Sequence, residues 1–159
     1  MQCIVFIAYC MSCTLLCAVS ISILLMCACE RSTRVTGMPA ATSQKDFSLN
    51  LTCAGGDTGT STRMFVVFSD AQNPENRSTT LSLSKDSVAK NVGIEIQREN
   101  ERLVNFGPES GEVNQWMVGE FANEPVNIKL KARYISTSLV QEPTPGSANA
   151  DATFVISYK

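Results

Sequence analysis

The chain has 159 residues, a formal net charge of −2 and no histidine. That length holds one domain of ordinary size, and so small a charge offers no field that would draw in nucleic acid. Without histidine the commonest general base and the commonest metal ligand are missing, which weighs against an enzyme and leaves no cofactor expected.

From Met1 to Cys29 there is no Asp, Glu, Lys or Arg. The apolar run from Ile4 to Met26 is long enough to span a bilayer and stands where a secretory signal would stand. No positive residue precedes it, whereas Arg31 and Arg34 follow it, an order that by the positive-inside tendency would hold the downstream part in the cytoplasm. Residues 1–29 are therefore set apart as an apolar leader, either a signal or anchor or a mis-set start. Residues 30–45 read as a linker and residues 46–159 as the folded domain. Cys3, Cys10, Cys13, Cys17, Cys27 and Cys29 lie in the leader, and only Cys53 lies in the polar part. Cys10 and Cys13 have the spacing of a redox motif, but an uncharged apolar run lacks the electropositive setting that a reactive thiol needs.

The body reads as strands between turns. Phe47, Leu49 and Leu51 share one face of an alternating segment, which Cys53 to Gly59 then breaks. Met64 to Phe68 is a continuous apolar run, compatible with a strand buried on both sides. Asp70 to Ser78, with Asn73-Pro74, is loop. Thr80–Leu83, Val92–Gln97 and Arg102–Asn105 are further short strand candidates, Phe106-Gly-Pro108 is a turn, and Trp116–Val118 is a short apolar insertion. Val126, Ile128, Leu130, Ala132 and Tyr134 alternate with Lys129, Lys131 and Arg133, which face out. Pro143, Pro145 and Gly146 interrupt the chain before a closing strand in which Ala150, Ala152, Phe154, Ile156 and Tyr158 fall on one face. Many short strands with regular turn signals and no helical periodicity predict an all-β, immunoglobulin-like sandwich.

Other chemistry is weakly signalled. Glu95, Glu99, Glu101, Glu109 and Glu112 fall on strand faces and turns, where solvated carboxylates are commoner than acid–base pairs. Asn50-Leu-Thr52 and Asn76-Arg-Ser78 match glycosylation sequons, which matter only in a eukaryotic secretory pathway. Trp116 reads more readily as a core or loop anchor than as a sugar platform.

Taken in order, these segments resemble the chaperone–usher fimbrial subunit family over roughly residues 45 to 159. The residues that carry the resemblance are Lys45–Cys53, Phe68–Asn76 with Thr80–Leu83, Val92–Ile96, Asn114–Trp116, Ala132–Tyr134 and the closing strand, with Gly146 about a dozen residues before Tyr158. The resemblance implies an incomplete immunoglobulin-like (pilin) sandwich that lacks its seventh strand and leaves a hydrophobic groove beside the last one. Gly146, Ala152, Phe154, Ile156 and Tyr158 would form the strand that binds chaperone and subunits, with Gly146 opening it where a side chain is unwanted. The implied partners are a periplasmic pilus chaperone, an outer-membrane usher and other pilus subunits, with no nucleic acid. The implied route is export to the periplasm and then the cell-surface fimbrium, with a part in cell adhesion.

Family members pair the cysteine corresponding to Cys53 with one on the first strand. Here that distance reaches back to Cys13 or Cys17, in a run without strand-like alternation, so Cys53 is a disulfide candidate without an assigned partner. A lectin site in this family belongs to a separate N-terminal domain, for which the chain has no room. The competing reading is an extracytoplasmic sandwich anchored in a membrane by its leader, binding a partner without polymerising.

Overall fold

The computed structural model describes residues 8–11, 17–23, 44–54, 61–108, 114–122 and 125–159. These residues form nine strands and no helix: β1 (Ala8–Met11), β2 (Cys17–Ile23), β3 (Lys45–Ala54), β4 (Thr62–Asp70), β5 (Thr80–Leu81), β6 (Val92–Arg98), β7 (Trp116–Phe121), β8 (Val126–Ser136) and β9 (Ala150–Tyr158). Alternation in β8 works as its sequence predicts, with Val126, Ile128, Leu130, Ala132 and Tyr134 buried and Asn127 and Lys129 exposed. Beta-branched and aromatic residues at these positions favour a pleated, half-buried surface.

The strands assemble into two sheets, one in the order β1-β3-β8-β6-β5 and the other in the order β2-β9-β4-β7. All neighbours run antiparallel except β1 and β3, which run parallel. Among the described residues a buried cluster lies between the sheets, with Leu49, Ile96 and Leu130 from one side and Val66, Phe68 and Phe154 from the other. Phe68 sits at its centre, stacked on Trp116 with ring centroids 5.6 Å apart and tilted against Phe154 at 5.8 Å. Both separations fall in the favourable range for aromatic pairs. Val67, between the core residues Val66 and Phe68, is buried too, in keeping with a strand covered on both sides.

Three local expectations change. Trp116 begins a full strand, β7, paired with β4 through a register shift at Met64 and Phe65. Thr80–Leu83 shortens to the two residues of β5. Arg102–Asn105 forms no strand; Leu103 makes an isolated bridge to Gln97, and the turn between them closes through Arg98 N–H to Arg102 C=O at 2.8 Å. Glu101 takes φ 64° there, so the chain turns back before a ladder can extend.

The apolar segment set apart as a leader contributes two of the strands. β1 pairs with β3, and β2 pairs with β9. Among the described residues no helix is long and apolar enough to cross a membrane.

Candidate assembly strand

β9 is the strand on which the candidate function rests, and its surroundings are built to hold it straight. On one side it runs antiparallel to β4, with Phe154 opposite Phe68, Ile156 opposite Val66 and Tyr158 opposite Met64. Ala152, Phe154 and Ile156 are each no more than 3 % exposed, so this face belongs to the core, while Tyr158 is half-buried against it. Backbone bonds from Lys159 N–H to Arg63 C=O and from Arg63 N–H to Lys159 C=O, at 3.0 and 3.1 Å, fasten the far end.

At the near end Ala71 N–H donates to Asp151 C=O at 3.1 Å, beside a buried carboxylate that orders the adjoining loop. Asp70, the last residue of β4, lies opposite Ala152 and is 2 % exposed. Its Oδ1 accepts from the N–H groups of Gln72 and Asn73 at 2.9 and 3.1 Å. Its Oδ2 accepts from Asn76 Nδ2 at 2.8 Å and from Ser82 N–H at 2.9 Å. Asn76 in turn donates to Thr80 C=O at 2.7 Å and accepts from Ser78 N–H at 2.9 Å. This knot closes the loop that joins β4 to β5, as short polar side chains do when they satisfy backbone donors. It also uses both amide hydrogens of Asn76, so the second sequon is a structural lock and not a modification site. In sequence the signal was an Asp six residues ahead of an Asn across a turn, which composition alone does not distinguish from an ordinary loop.

Gly146 does not belong to the strand. It is exposed, four residues before β9 begins, with φ 153°. A Cβ there would come within 2.5 Å of Val88 Cγ2 and 2.9 Å of the Ala89 nitrogen. Its missing side chain lets the loop press against residues 84–90, where the N–H groups of Val88 and Ala89 both donate to Ser147 C=O at 3.1 Å. One element further in, buried Tyr134 donates its hydroxyl to Ala148 C=O at 3.1 Å, tying β8 to the start of the closing strand.

The other edge of β9 is where a groove was expected, and β2 is paired along it. The register sets Cys17 opposite Ile156, Val19 opposite Phe154, Ile21 opposite Ala152 and Ile23 opposite Ala150. Contrary to the reading of this run as lacking alternation, Val19, Ile21 and Ile23 alternate with Ala18, Ser20 and Ser22. That period of two is masked by the unbroken apolar residues on either side of it. Cys17 therefore belongs to the sheet that does not contain Cys53. Cys10 is the residue in register with Cys53, through the pairing of β1 with β3.

The remaining chemistry is structural. Glu95, 8 % exposed, accepts from Arg133 Nε and Nη2 at 2.9 and 2.7 Å, and Glu99 pairs with Lys129 at 3.0 Å on the surface. Glu109 and Glu112 lie outside the described residues. Arg98 lies over the Trp116 ring at 5.0 Å, and burial, with the charge of Arg102 added, holds its pKa below the ordinary guanidinium value. Among the described residues no group of three or more potential ligands could hold a metal ion.

Two stacked sheets, with β9 held between β2 and β4, define a β-sandwich. Residues 31–159 match the family described as Fimbrial protein, so the chain belongs to that family, the subunits of chaperone–usher fimbriae. Similar curated proteins include the F17a-G and F17c-G fimbrial adhesins of Escherichia coli. Each is 32 % identical over 116 residues, which is 70 % of this chain. The chain spans 32 % of the length of these relatives. Among solved structures, a type I fimbria protein and antigen of Burkholderia pseudomallei shares the fold with a TM-score of 0.53 at 21 % identity. That match covers 91 % of this chain and 99 % of that one. The CupB6 tip adhesin of Pseudomonas aeruginosa gives 0.57 at 19 % identity, over 77 % of this chain and 31 % of its own.

Proposed function

We propose that this chain is a structural, non-enzymatic fimbrial subunit domain that assembles by accepting a strand along β9 and so contributes to cell adhesion. The observation that carries this reading is the β9 edge itself, which supports antiparallel pairing over seven residues while Ala152, Phe154 and Ile156 complete the core. An apolar strand edge left bare invites association, and adding a strand from another chain satisfies its backbone groups and extends the sheet. Membership of the family implies in general terms a pilus chaperone, an usher and further subunits. We assign the chaperone and the neighbouring subunit to the β9 edge, with Ala152, Phe154, Ile156 and Tyr158 as its determinants and Gly146 as a positioning residue for the loop ahead of it. The route is export to the periplasm and then the surface fimbrium.

The test is co-expression with a periplasmic pilus chaperone and purification of the complex. Recovery of a one-to-one complex that disappears in Phe154→Asp, with Glu99→Gln as a surface control that retains it, is the expected result. A wild-type chain that stays monomeric and stable beside the chaperone would overturn the reading and favour a binding module that does not polymerise.

A further inference from the structure

Resting on that reading, we propose that Cys17–Ile23 is a self-donor strand: within a single copy it holds the edge of β9 that assembly needs, and it must leave before a partner's strand can enter. β2 runs antiparallel to β9 along seven consecutive pairs, from Cys17 opposite Ile156 to Ile23 opposite Ala150. Its apolar residues Val19, Ile21 and Ile23 hold the register positions of Phe154, Ala152 and Ala150, all of them core residues of β9. Directly opposed residues of an antiparallel pair share a face of the sheet. The apolar residues of β2 thus stand in register with core residues of β9, and a slip by one residue would set its serines at those register positions instead.

The pairing is also built to be released. Among the described residues β2 ends the order of its sheet and pairs with β9, whereas β9 keeps β4 on its other side. Losing β2 costs one ladder and leaves the β9–β4 pairing in place. No tight turn joins the two strands, which lie far apart in the sequence, at Cys17–Ile23 and Ala150–Tyr158. Pairing over such a separation gains nothing from a hairpin, but the tether still holds the resident strand at an effective concentration on the order of millimolar, so an incoming strand displaces it only by pairing more tightly or over a longer ladder. The strand thus acts as an internal plug that keeps a free copy from aggregating through its open edge.

Two measurements on the full chain test this. Ser20 and Thr153 are register partners, and opposed residues of neighbouring antiparallel strands lie within reach of a disulfide. In the double variant Ser20→Cys/Thr153→Cys, mild oxidation and peptide mapping should find the two introduced thiols linked to each other within monomeric protein. A link found only between chains, or none, would overturn the self-donor assignment. In the second measurement a fluorescent peptide copying residues 17–23 should bind Ile21→Pro, whose resident strand cannot complete the ladder, at least tenfold more tightly than wild type. Equal affinities would overturn the proposal, since β2 would then not be guarding the edge. A chain that captures chaperone but yields no intrachain link refutes the self-donor alone. A chain that yields the link but captures no chaperone refutes the assembly reading instead.

Discussion

Asp70→Ala tests whether the loop knot beside β9 is as consequential as its geometry implies. The carboxylate accepts four hydrogen bonds at 2.8 to 3.1 Å while 2 % exposed. Bonds to a charged acceptor contribute roughly 1.5–3 kcal/mol each, but water can replace an acceptor wherever the donor lies near solvent. Asn73 is exposed, so its bond should be largely recovered, and Gln72, half-buried at the loop's rim, should recover part of its own. Asn76 is buried and Ser82 half-buried, and these two carry most of the loss. Truncation should therefore cost about 3–5 kcal/mol, a large share of the roughly 5–15 kcal/mol that holds a domain folded. At about 4 °C per kcal/mol the melting temperature should fall by roughly 10–20 °C. Asp70→Asn should lie between wild type and alanine, since an amide retains one acceptor and turns a donor toward another donor. Urea unfolding of both variants, with Asn76→Ala completing a double-mutant cycle, gives the magnitude and the coupling. A loss below about 1 kcal/mol for Asp70→Ala, or no coupling to Asn76, would refute the assignment of the knot as the anchor of the loop.

Further outcomes follow from single positions. Gly146→Ala should destabilise the domain by about 1–3 kcal/mol, because a left-handed φ and a Cβ meeting Val88 and the Ala89 backbone act together, and a thermal melt will register it. Glu101→Gly should raise stability by up to about 1 kcal/mol in urea titration, because a non-glycine residue there sits at φ 64°. The register of β1 with β3 nominates Cys10 as the partner of Cys53. Non-reducing peptide mapping of protein recovered from an oxidising compartment should find that link, and its reduction should lower stability by roughly 4 kcal/mol. A Cys13–Cys53 link would instead contradict the register.

The body of the fold was legible because its strands carry the signal that burial imposes. In β8 and β9 one face is core and the other is not, so apolar residues recur at a period of two, and both strands stand where the alternation put them. Trp116 was less legible, because β7 shows only partial burial and a register shift, which blunts the alternation to a short apolar stretch. Gly146 stands in the loop ahead of β9 with a positive φ and a close contact to Val88 and Ala89, features that a linear sequence cannot distinguish from a strand opening. The Asp70–Asn76 knot escaped notice because turn-forming residues look alike whether they are solvated or buried. β2 was hidden for the opposite reason. Its alternation is present, yet it lies inside a run so uniformly apolar and uncharged that bilayer length dominates the reading.

Hydrogen exchange on the full chain, free and in complex with a periplasmic pilus chaperone, tests strand exchange at β9 most directly. If β9 accepts the chaperone's strand in place of β2, amides of Ala150–Tyr158 should stay protected in both states while those of Cys17–Ile23 lose protection on binding. A complex in which Cys17–Ile23 remains protected, with new protection on β5 or β7 instead, would contradict assembly through this edge.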